Sequence, residues 1–222
     1  MDDILIAGDN SEINKTKKLI KRKFKIKEIG DVDFVIGIKF IKHKNGYFIN
    51  QISYIKELLK KFEMTNEKPL RNLSPVENAE LRQIKFNETR YRSAVGNLLY
   101  LGINTRPDIL FAVNKAARKS TNPTLEDWYN IKRIFRYLIN TMNYGINYTK
   151  NSTIKAYTDA DYAGDVESRK STSGFVIMIG DSPTSWCSKL QHSVSTSTAE
   201  AEYYSLSECG KQYMWYMIYS RN

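Results

Sequence analysis

At Gly145 the spacing of apolar residues changes, and no single type of secondary structure serves both sides of that point. Upstream, "RSAVGNLLYLGINT" and "RPDILFAVNKAARKST" carry apolar residues three and four apart, and Trp128, Ile131, Ile134, Phe135 and Leu138 keep the same period, so residues 90–142 read as helical throughout. Downstream, "TIKAYTDAD", "TSGFVIMIG" and "PTSWCSKL" are β-rich runs separated by short polar turns. A helical stretch follows, "STSTAEAEYYSLSECGKQYMWYM", with Ser197 or Thr196 as its cap. Three strands in a meander and then a helix predict the antiparallel start of an α/β sheet. The fold class is therefore α+β.

Other boundaries follow from caps and turn residues. Ile4–Ala7 reads as a short opening strand, and "SEINKTKKLIKRKF" places Ile13, Ile20 and Phe24 at roughly helical spacing after a Ser11 cap, with a basic back. "DFVIGIKFIKHKNGYFINQ" holds two β-rich runs joined through Asn45-Gly46, a strong hairpin signal. Ser53 can cap a helix that puts Ile55, Leu58, Leu59 and Phe62 on one face. Thr105 can cap a helix with Pro107 in its first turn, and Thr124 with Asp127 forms an approximate capping box. From Glu67 to Glu88 the period dissolves into Pro, Asn and charge, which predicts a linker or long surface loop. The expected division is 1–66, a linker at 67–89, a helical segment at 90–145, and a sheet with one covering helix at 146–222.

Charge separates the two halves. Residues 1–150 hold 28 Lys+Arg against 16 Asp+Glu, a net +12, whereas residues 151–222 hold 6 against 8, a net −2. A basic first part suits a polyanion such as nucleic acid, although lysines also serve simply to solvate helix faces. Lys115, Arg118 and Lys119 end one helix, and Lys132, Arg133 and Arg136 lie on the outer side of the next, where they could track a phosphate backbone. No apolar run approaches the roughly 18 to 20 residues of a membrane span, and the acidic N-terminus does not read as a signal peptide. Two cysteines, Cys187 and Cys209, fit a reducing compartment as free buried thiols, with a disulfide between them as the less favoured alternative, so the expected location is intracellular rather than secreted.

The slightly acidic second half is where carboxylates gather. Asp159 sits in the C-terminal half of the first β-run of the meander, with Asp161 on the same side two residues on, while Glu200 and Glu202 fall in the first turn of the last helix. Oxygen ligands from a strand end and a helix over the same sheet are what a divalent cation takes, but capping alone accounts for one of the glutamates. Asp159-Ala160-Asp161 also matches the Asp-x-Asp of phosphohydrolases and sugar-nucleotide transferases. Those folds follow the motif with a helix, and here a meander follows. His43 and His192 sit in polar turns with no predictable cysteine partner.

"YTDADYAGD", "SRKSTSGFVI", "SWCSKLQ" and "STAEAEYYSLSE", in that order and spacing, resemble the start of the ribonuclease H domain of Ty1/copia-type retrotransposon Pol polyproteins. "VGNLLYLGINTRPDILFAVN" and "IKRIFRYLINTMNYGINY" are similar to the segment of that family between the polymerase palm and ribonuclease H. "DDILIAGD" is similar to the end of the reverse-transcriptase palm motif, and "FKIKEIGDVDFVIGIKF" and "NGYFINQISYIKELLKKF" resemble the stretch that follows it. The resemblance implies remnant palm and thumb elements, connecting helices and a partial ribonuclease H-like sheet. It assigns Asp2 and Asp3 to the palm aspartate pair, Asp159 to the first ribonuclease H carboxylate and Glu202 to the helix carboxylate, with Mg²⁺ or Mn²⁺ as cofactor and an RNA–DNA hybrid as substrate. It matches Asp161 and Glu200 to no metal ligand, which leaves them a turn residue and a first-turn helix charge. The family's remaining carboxylates have no counterpart in this stretch. The expectation is therefore a truncated fragment with no turnover of its own, weak or absent metal binding, and either residual nucleic-acid binding or self-association through the unfinished sheet.

Overall fold

The structure is a computed structural model and describes residues 4–219. Residues 4–7 are irregular rather than a strand, since no described strand lies alongside to pair with them, and Ile4 and Leu5 are exposed. Helix α1 (Asn10–Lys23) begins after Asp9 rather than at a Ser11 cap and buries no residue. Lys17 and Lys21 of α1 both reach Glu28 in the chain that follows. Strands β1 (Phe34–Val35), β2 (Ile38–His43) and β3 (Gly46–Asn50) form antiparallel pairs, with His43 opposite Gly46 across the expected hairpin.

A fourth strand, β4 (Ile146–Thr149), arrives from the far side of the helical segment and pairs with the free edge of β3, Gly46 opposite Thr149. Its approach explains the glycine: a Cβ at Gly46 would overlap the Tyr148 carbonyl oxygen. The boundary expected between 145 and 146 is thus corrected, because β4 completes the first sheet. Its four residues carry too short a pattern to reveal that pairing in advance.

One hydrophobic core joins α2 (Ile52–Lys61) to α4 (Glu88–Asn104), α5 (Pro107–Ala117) and α6 (Leu125–Asn140). Ile55, Leu58, Leu59 and Phe62 all go inward, as do Trp128, Ile131, Ile134, Phe135 and Leu138 of α6. Each such side chain contributes roughly 1.5–3 kcal/mol by leaving water. The Thr124–Asp127 capping box forms in both directions. Two other caps differ: Gln51 precedes α2 in place of Ser53, and Arg106 precedes α5, with Thr105 closing α4 and Pro107 in the first position of α5. Arg106 is almost fully buried, and its guanidinium binds Asp108 and the Thr141 carbonyl and hydroxyl, tying the start of α5 to the end of α6.

Residues 67–87 are not a free linker. They run along α6, with Leu70 N–H donating to the Arg136 carbonyl, Val76 N–H to Asn130 Oδ1 and Asn78 N–H to Glu126 Oε2, and they include the one-turn helix α3 (Ala79–Arg82).

The second sheet is the expected meander: β5 (Ile154–Asp161), β6 (Thr172–Ile179) and β7 (Ser182–Leu190), paired antiparallel in that order. Helix α7 (Thr198–Tyr219) covers one face through Ala201, Ser205 and Cys209, spaced four apart on one side of the helix. The other face meets the bundle at β7: Trp186 Nε1 donates to the Gly102 carbonyl at 2.8 Å and Asn114 Nδ2 to the Ser188 carbonyl at 2.8 Å. The two sheets touch where Tyr148 OH donates to the Pro183 carbonyl and Ser182 Oγ to the Asn147 carbonyl. No described helix is long and apolar enough to cross a membrane.

Candidate functional site

Ser205 of α7 orients β5. Its hydroxyl is fully buried, lies 2.7 Å from Thr158 Oγ1, and donates to the Asp159 carbonyl at 2.7 Å. Thr158 therefore faces α7, and the alternation of the strand sends Tyr157, Asp159 and Asp161 to the opposite face, the one that meets the bundle. There α5 packs over β7 and leaves the β5–β6 part of the face open. The result is a cleft of ≈ 490 Å³ with Asp159 and Tyr157 on its floor and Pro107, Leu110 and Phe111 of α5 along its wall.

Asp159 is exposed, and its Oδ1 accepts from the Ala160 N–H at 2.9 Å. Directly across from it stands Gly174, and across from Gly174 stands Ser188, so two polar side chains flank a position with none. Ser188 Oγ is shielded from solvent and has no hydrogen-bond partner among the described residues.

Asp161 is drawn into the turn after β5, where its carboxylate packs so closely on Gly164 that a Cβ there would overlap it. In the loop beyond, Asp165 accepts from the Ser168 N–H and Oγ and from Arg118, and these bonds hold its carboxyl below the usual carboxylate range. Glu200 accepts from the Thr196 N–H at 2.6 Å and Oγ1 at 2.8 Å, contacts that lower its pKa, while its own N–H donates to Ser197 Oγ. Glu200 is thus half of a helix cap, and Asp161 a turn residue.

Glu202 is exposed on α7, next to the sheet-facing Ala201, whereas Asp159 leaves β5 on the side away from α7. Among the described residues no three of His, Cys, Asp and Glu come together in a group that could hold a metal ion. The carboxylates described here do not by themselves fit the donor set that a pair of divalent cations needs. Asp2 and Asp3 lie outside the described residues.

Five of the six basic positions have partners within the chain. Arg118 binds Asp165 and Thr172, and Lys119 pairs with Glu167, both linking the end of α5 to the loop after β5. Lys132 meets Glu67, Arg133 meets Asn72, and Arg136 Nε donates to the Lys68 carbonyl, all along the strap on α6. Lys115 is exposed. Three of these partners are carboxylates, and pairs near the surface are weak, so they lower the local positive potential without removing it.

Phe111, Tyr157, Gly174 and Ser188 also line this site, and none is one of the charged residues that mark it in the sequence. Tyr157 carried a readable signal, two residues before Asp159 on a strand. Phe111 did not, because only the packing of α5 over β7 brings it to the cleft.

Residues 1–77 match the family model described as reverse transcriptase (RNA-dependent DNA polymerase). The chain is 36% identical over 228 residues to the retrovirus-related Pol polyprotein from transposon TNT 1-94 of Nicotiana tabacum, covering 97% of this chain and 17% of that protein. It is 37% identical over 221 residues to the corresponding polyprotein from transposon RE1 of Arabidopsis thaliana, covering 97% and 15%. The uncharacterized mitochondrial protein AtMg00810 of Arabidopsis thaliana is 34% identical over 220 residues, covering 97% of this chain and 91% of that protein. The chain thus spans about a sixth of the length of the Pol polyproteins it matches. No solved structure gives a significant match.

Proposed function

Because the chain belongs to the Pol polyprotein family of copia-type retrotransposons, we propose that it acts as a segment of such a polyprotein in metal-assisted phosphodiester chemistry on RNA–DNA hybrids, and does not turn over by itself. Asp159 and Glu202 are the carboxylates that the resemblance assigns to that chemistry, and because Asp159 leaves β5 on the side away from α7 the two do not converge on one ion in this chain. Mg²⁺ or Mn²⁺ would supply charge stabilisation for the departing and attacking oxygens, given further anionic ligands from elsewhere in a polyprotein. The observation that carries this reading is Asp159 itself, exposed on the open part of a sheet face beside a residue with no side chain.

The test is to incubate the full chain with a labelled RNA–DNA hybrid and Mg²⁺ or Mn²⁺. An intact hybrid is expected. Measurable cleavage that disappears in Asp159→Asn would overturn the claim that this segment has no turnover of its own.

A further inference from the structure

The cleft beside Asp159 has features that a phosphate site does not need. Phe111 on the α5 wall and Tyr157 on the β5 floor are large aromatic rings left 46% and 59% exposed, and both line the same cavity. Exposed rings facing one space are costly unless something covers them, and a flat π-system is the partner they fit best. Between the walls the floor is bare at Gly174, where a Cβ would meet nothing nearer than 3.8 Å. Asp159 can only accept hydrogen bonds while ionised, which disfavours a phosphate in the absence of metal and favours the ring N–H or amino groups on the edge of a base. The volume, ≈ 490 Å³, suits a nucleoside-sized group. Lys115 follows Phe111 by one helical turn on α5 and is exposed, which puts a cation one turn from the cleft wall.

We propose that this cleft takes one unstacked nucleobase of a single-stranded nucleic acid, stacked against Phe111 and Tyr157 with its polar edge toward Asp159. The proposal rests on the reading that this face meets nucleic acid, and it adds a base-binding subsite contributed jointly by the helical segment and the sheet. Bases in a duplex are already stacked on their neighbours, so the site selects single strands.

The full chain is titrated by fluorescence anisotropy, in chelator so that hydrolysis plays no part. The probes are a single strand of about 12 nucleotides, within the site sizes of single-strand binders, an abasic strand of equal length, and a duplex. The base-bearing strand binds more tightly than the other two. Phe111→Ala and Tyr157→Ala each weaken it about tenfold, as loss of one stacking platform predicts, and leave the abasic strand unaffected. Tyr157→Phe keeps the ring and retains the affinity. Equal binding of base-bearing and abasic strands, or both alanine variants binding like the parent with circular dichroism unchanged, overturns the proposal.

Discussion

The Asp165 carboxylate accepts from the Ser168 amide and hydroxyl and from Arg118, which reaches it from the end of α5. With its folded pKa depressed below the ordinary aspartate value, its stabilising effect is present at neutral pH and is lost as acid protonates the folded carboxyl. Asp165→Asn should therefore be less stable than the parent at pH 7 by about 1 kcal/mol, with the gap closing below pH of about 3.9. Thermal unfolding followed from pH 7 to pH 3 checks this, and a gap constant across that range would contradict it. Single residues were legible in the sequence where the constraint was local. Thr124 with Asp127 and Thr196 with Glu200 sit within four positions of each other, and their bonds form as the spacing suggests. Ser205 was not legible, because its three partners lie on two strands distant in the chain.

Among the elements, α2 and α6 could be read from their 3.6-residue period, whose apolar positions are all buried. The strap at 67–87 could not. It has little period of its own and takes its course from side chains of α6, above all Glu126, which is nearly buried at the helix start and receives the Asn78 N–H and Arg82 Nε. Removing that carboxylate orphans a backbone donor and a guanidinium together. Glu126→Ala should lower stability by about 2 kcal/mol in urea unfolding, by the usual cost of hydrogen bonds to a charged group. A change below a few tenths would mean that the strap is held by other contacts.

At the scale of the whole molecule, the sequence divides more sharply than the structure does. Trp186, Asn114, Arg118, Tyr148 and Ser182 each carry a hydrogen bond across the join between the helical segment, the first sheet and the second sheet. Calorimetry should therefore show one cooperative transition, and Trp186→Phe, which keeps an aromatic ring but loses the bond to Gly102 and part of the indole's packing, should cost about 1 kcal/mol or more without splitting it. Two separate transitions in the parent chain would show that the join contributes little. The cleft belongs to this scale as well: its carboxylate was visible as a motif, but its shape depends on α5 lying over β7 and not β5, which no local pattern encodes.

The pairing of β4 with β3 also sets an order of events at the ribosome. The hairpin partner of β3 is made first, and its other neighbour follows only after α4, α5 and α6 have been synthesised. Through that interval the nascent chain carries a naked β-edge that includes Phe48, open to the same edge on a neighbouring polysome. Prompt closure of the helical core, which carries residue 146 back to residue 49, is then what separates productive folding from entanglement between chains.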